Sequence, residues 1–214
     1  MTASILHPEF LTITDESTGK TYFGGFQEWY ASEWNRMAGC GPTCAANVLS
    51  YLAFTRPTLR GLYGYDTMGL SDFKQHMEEV YRFVTPGNMG LNKVEMFTEG
   101  MERFAGSRGI TLTSHAFDVP SNMTRNRPPV PELAAFVKAG LDSDCPVGFL
   151  NLTKGKVKNI QGWHWITITK ADIDDNNLIT CASDEGKEIC FDLRLWYLST
   201  RMRGGLAYFT QEKD

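Results

Sequence analysis

Residues 39 to 50 read Gly-Cys-Gly-Pro-Thr-Cys-Ala-Ala-Asn-Val-Leu-Ser. Cys44, Val48, Leu49 and Leu52 recur at helical spacing, and Pro42 falls in a first turn, where its missing amide hydrogen costs nothing. Ala45 and Ala46 keep this segment slim enough for close packing. The pattern predicts an apolar helix at the centre of a fold, with Cys40 held rigidly at its mouth. There a thiol meets free first-turn amides and the positive end of the helix dipole, which favour the thiolate. The competing reading is plain packing, because free cysteines are among the most buried residues.

A nucleophilic cysteine needs a base, which in papain-type enzymes lies about 130 to 150 residues downstream. Four histidines are available. His7 falls in an N-terminus expected to fray, His76 in the charged helical stretch Ser71 to Glu79, and His115 in a Thr/Ser-rich strand-like segment. His164 opens Trp163-His164-Trp165-Ile166-Thr167-Ile168-Thr169, a β-branched and aromatic run that reads as a core strand. Burying a histidine between two tryptophans is costly without a partner.

A third group orients such an imidazole. The next strand-like run, Leu178 to Ala182, delivers Ser183-Asp184 at its end. Antiparallel pairing sets the end of one strand beside the start of its neighbour, so Asp184 is expected near His164. Asp174 and Asp175 belong to the turn at the far end of the same hairpin. That turn begins like a calcium loop but has Asn177 where the loop needs Gly and Ser183 where it needs Glu, so it reads as a solvated turn.

Taken together, the Gly39-Cys40-Gly41-Pro42 helix start, the Trp163-His164-Trp165-Ile166 strand start and an Asp ending the following strand resemble the papain-fold cysteine peptidases that process bacteriocin leaders after a double glycine. The resemblance implies Cys40 as nucleophile, His164 as general base and acid, and Asp184 as the group that orients His164. It also implies a side-chain amide in the oxyanion hole. Gln27 is the candidate, and Asn35 is the alternative because Gln27 stands further from the cysteine than in the closest peptidases. The likeness covers the anchor segments and leaves most of residues 55 to 160 unmatched. No membrane-spanning or nucleotide-hydrolysing segment of the kind that accompanies many leader peptidases is present, so the chain is similar to standalone bacterial members of the group. Trp29, Trp163 and Trp165 are candidates for lining a substrate groove, with ordinary core packing as their other reading.

At 214 residues the chain suffices for one domain with a full hydrophobic core. Its net charge of -4 gives no basic footprint for nucleic acid or anionic membrane, and no apolar run approaches the roughly 18 residues of a membrane span. The N-terminus lacks the basic and apolar regions of a signal peptide, so a cytoplasmic location is expected. No cofactor or metal is expected, and the partner is a peptide or protein substrate. Five cysteines at irregular spacing, an odd count, argue against a disulfide framework. Cys44 reads as a packing residue, and Cys181 and Cys190 as reduced core thiols.

Hairpin signals occupy Phe10 to Gly24, and helical periodicity covers 71–84, 92–105 and Glu132 to Leu141. The proline-rich stretch Pro120 to Pro131 reads as a surface loop. Strands are expected at Val147 to Leu152, His164 to Lys170, Leu178 to Ala182, Glu188 to Phe191 and Leu206 to Thr210. The expected fold is therefore α+β: a single papain-like domain over 1–214, with a helical part near 40–143 packed on an antiparallel sheet near 146–211. The expected function is cysteine-dependent acyl transfer by a thiol peptidase or related amidase. The alternative is a catalytically silent peptidase-like fold that binds a protein or peptide.

Overall fold

In the computed structural model, which describes residues 1–122 and 127–211, the first element is a short strand, β1 (Thr2–Ser4). A 3-10 turn at Pro8–Leu11 leads into the hairpin of β2 (Thr12–Thr14) and β3 (Thr21–Phe23). Helices α1 (Glu33–Ala38) and α2 (Cys40–Thr55) follow, separated only by Gly39. Next come α3 (Leu70–Tyr81), α4 (Val94–Ser107), β4 (Thr113–Val119) and α5 (Val130–Asp142). The chain then runs through β5 (Val147–Asn151), β6 (His164–Ile173), β7 (Leu178–Asp184) and β8 (Lys187–Asp192). Helix α6 (Leu193–Ser199) and β9 (Gly204–Thr210) complete the described elements.

The architecture is α+β. One antiparallel sheet has the order β4-β9-β5-β6-β7-β8, with β1 continuing the β5 edge of β6. Helix α2 is buried on every face from Gly41 to Ala53, as a helix apolar all round must be. It packs against β6, α3, α4 and the 3-10 turn Pro57–Leu62. Leu49 and Leu52 sit fully inside, where truncation to Ala costs about 2–5 kcal/mol. Helix α2 therefore forms the middle of the core, and Cys40 emerges at its end.

Several expectations need correction. The N-terminus is not a frayed tail. Thr2 to Ser4 pair with Asp172 to Lys170, the Met1 ammonium donates to the Ile173 carbonyl, and the His7 amide donates to the Tyr51 hydroxyl. Helix α5 begins two residues inside the expected proline loop, since Pro131 fits a first turn; residues 123–126 of that loop lie outside the described residues. The helical part is interrupted by β4, which pairs along its length with β9. His76 points inward from its charged stretch and is fully buried.

Cys181 and Cys190 are not reduced thiols. They face each other across β7 and β8 and are joined in a disulfide. The odd cysteine count concealed this pair. Among the described residues, no helix is long and apolar enough to cross a membrane.

Candidate active site

Four chain segments converge on the start of α2. Cys40, His164, Asp184 and Gln27 line one small cavity of about 20 Å3, room for about one water molecule. His164 opens β6 opposite Asn151 of β5, and Asp184 closes β7. Their antiparallel pairing brings His164 Nε2 to 2.7 Å from Asp184 Oδ1, with both side chains almost wholly buried. The other imidazole nitrogen, Nδ1, is not used by Asp184, and Cys40 lines the same cavity.

Burial alone works against a charged imidazole, but the hydrogen bond to Asp184 and the electrostatic influence of the neighbouring Asp184 and Cys40 side chains outweigh it. They lift His164 from its ordinary 6.5 to about 10. The surroundings thus favour the protonated ring. Cys44, one turn beyond Cys40, is different: burial pushes its thiol up to about 12, and its sulfur is engaged by the Thr167 hydroxyl and the Ile166 carbonyl. It is a packing residue.

The site is tied together by Asn47, which sequence reasoning overlooked. Its side-chain carbonyl accepts from the Gly25 amide at 2.8 Å, and its amide donates to Thr167 Oγ1 at 3.1 Å and Ser183 Oγ at 3.4 Å. One side chain thereby joins α2, β6, β7 and the segment that carries Gln27. Gly24 makes this approach possible: its φ is 76°, and a Cβ there would sit 2.0 Å from Ser183 Oγ. The signal for Asn47 was available, since it is a polar residue two turns beyond Cys40 in an otherwise apolar helix.

The β7–β8 turn contributes as well. Glu185 and Gly186 both have positive φ, as a tight two-residue hairpin turn requires. The Gly186 amide donates to the Gly25 carbonyl and its own carbonyl accepts from the Phe23 amide, so the turn clamps the Gln27 segment against the Asp184 strand. Glu185 lines the cavity and accepts from Gln161 Nε2 at 2.8 Å.

Gln27 stands on a 3-10 turn, Gln27–Trp29, and its Oε1 is buried with no hydrogen-bond partner among the described residues. Asn35 is on α1 and does not line the Cys40 cavity. No known family model matches this chain, and no curated protein is significantly similar to it. Roles here rest on geometry alone.

Of the groove candidates, Trp163 and Trp165 flank a cleft that also contains Cys40. Trp29 does not reach it. Its ring packs edge-on against Tyr22 and Phe73 on another part of the surface. Among the described residues, no group of three His, Cys, Asp or Glu is placed to hold a metal ion.

Proposed function

We propose that this chain is a cysteine-dependent acyl-transfer enzyme of papain-like fold, a thiol peptidase or related amidase. The observation that carries the reading is the convergence of Cys40 with the bonded pair His164–Asp184 in one cavity at the end of a buried helix. The Cys40 sulfur bonds to a carbonyl carbon while His164 gives its proton to the departing nitrogen, and the C–N bond breaks. Water then adds to the thioester, His164 takes the water's proton, and the C–S bond breaks. Asp184 holds the ring throughout. The Cys40 and Gly41 amides, which have no carbonyl one turn back in α2, and the Gln27 carboxamide are the oxyanion donors.

A second reading is a silent fold that binds peptide without turnover, favoured by the small volume around the sulfur. Iodoacetamide labelling of Cys40 against pH, followed by peptide mass spectrometry in wild type and His164→Ala, separates the two. Fast labelling below about pH 6 that is lost in the variant supports the enzyme. Slow labelling that rises only at about pH 8 to 9 in both overturns it. Cys44 and Cys145, buried and pushed up to about 12, are the internal unreactive controls.

A cytoplasmic setting would hold Cys181 and Cys190 reduced, whereas they are bonded here. Thiol trapping of this pair in cells tests the location.

A further inference from the structure

Four of the nine large apolar side chains that the described residues leave exposed, Trp34, Met37, Met89 and Trp163, line a single groove of about 300 Å3. Cys40 and Trp165 line both this groove and the small polar cavity, so the two adjoin at these residues. Leu91 and Trp165 form part of the groove's wall, and among the described residues no Asp, Glu, Lys or Arg lines it. The carboxylates of the site, Asp184 and Glu185, face the other cavity.

The groove is built rather than incidental. Trp163 has a φ of 59°, a left-handed conformation that a bulky side chain adopts only when its surroundings enforce it. Its indole N–H donates to the Met89 carbonyl at 3.1 Å. Met89 sits at the tip of a tight turn closed by reciprocal bonds between Gly87 and Gly90. Trp165 is fixed by its own N–H to the Leu91 carbonyl and by stacking on Phe97 at 4.3 Å. Rigid tryptophans with two adaptable methionines suit apolar groups of varied shape.

We propose that this groove selects the substrate: it receives an uncharged aliphatic or aromatic side chain beside the carbonyl that Cys40 attacks. The inference rests on the acyl-transfer reading for the identity of that carbonyl. It assigns the substrate class as peptides with bulky apolar residues at the reacting bond.

The test is binding to full-length Cys40→Ala protein, followed by tryptophan fluorescence, of acetyl-Leu-Phe-amide, acetyl-Gly-Gly-amide and acetyl-Asp-Glu-amide. The apolar peptide is expected to bind at least tenfold more tightly than either of the others. Met37→Ser/Met89→Ser in that background removes most of the preference, and Leu195→Ser, an exposed leucine on α6, leaves it. Equal affinity for the three peptides, or a preference that survives the double substitution, overturns the proposal. Iodoacetamide labelling of wild-type Cys40 separates the two readings. Preference without thiol reactivity removes only the acyl-transfer chemistry, and reactivity without preference removes only the groove's role.

Discussion

The side chain of Asn47 accepts a hydrogen bond from the backbone of Gly25 at 2.8 Å, fastening the Gln27 segment to the helix that carries Cys40. The same side chain donates to Thr167 and Ser183, which lie on the strands that deliver His164 and Asp184. One buried amide therefore links the elements that carry all four site residues.

Asn47→Ala strands the Gly25 amide and removes two further bonds in the interior. Leaving buried groups unpaired costs about 1–3 kcal/mol each, so a loss of about 2–4 kcal/mol is expected in urea unfolding. A loss under about 0.5 kcal/mol would show the network to be dispensable.

His164 makes the protein sensitive to alkali. Its folded value is raised from 6.5 to about 10, so its stabilising contribution is fully present below pH 6.5 and is lost as pH climbs towards 10. The urea midpoint of the wild type should fall across that window, and Asp184→Asn should flatten the fall. A wild-type midpoint that is level from pH 6.5 to 10 would refute the pairing.

His76 acts in the opposite direction. Burial among Tyr63, Phe73 and Phe104 depresses it from 6.5 to about 3, so the folded state excludes a proton that the unfolded chain takes up. Its contribution is present above pH 6.5 and is lost on acidification, by roughly 1.4 kcal/mol for each pH unit between these values. His76→Leu should remove that slope. If stability measured from pH 6.5 to 4 falls equally steeply in the variant, another group is responsible.

The disulfide closes a short loop across the β7–β8 hairpin, its cysteines nine positions apart in sequence. Loop-closure entropy for such a span is about 2.5 kcal/mol, which corresponds to a melting temperature about 5–10 °C lower in Cys181→Ala/Cys190→Ala. The backbone ladder from Ile179 to Asp184 remains, so alkylation of Cys40 should persist in that variant. An unchanged melting temperature would mean that the bond constrains little.

Periodicity made some elements legible and hid others. The apolar run of α2 and the β-branched runs of β6 and β7 carry enough repeats to be read, and chain order alone suggested that an Asp ending β7 would lie near the start of β6. β1 has three residues and α6 seven, too few for a pattern, and both form because the sheet is already there to receive them. The choice between Gln27 and Asn35 was not legible, because each lies on its own short helix and the clamp at Gly25 and Gly186, which holds the Gln27 segment against the Asp184 strand, is tertiary. Trp29 misled for the same reason: nearness in sequence to the cysteine did not survive the turn at Gln27–Trp29.

The pairing of Thr2 with Asp172 has a temporal consequence. Synthesis proceeds at about 5–20 residues per second, so the earliest strand waits on the order of ten seconds for its partner to leave the ribosome. Helix α2 can meet the Pro57–Leu62 turn, α3 and α4 sooner, but the side that packs on β6 stays open until residues 164–173 emerge. One face of a helix that ends wholly buried is thus uncovered through much of translation, and a nascent chain of this protein should engage holding chaperones through residues 40–55 until β6 is complete.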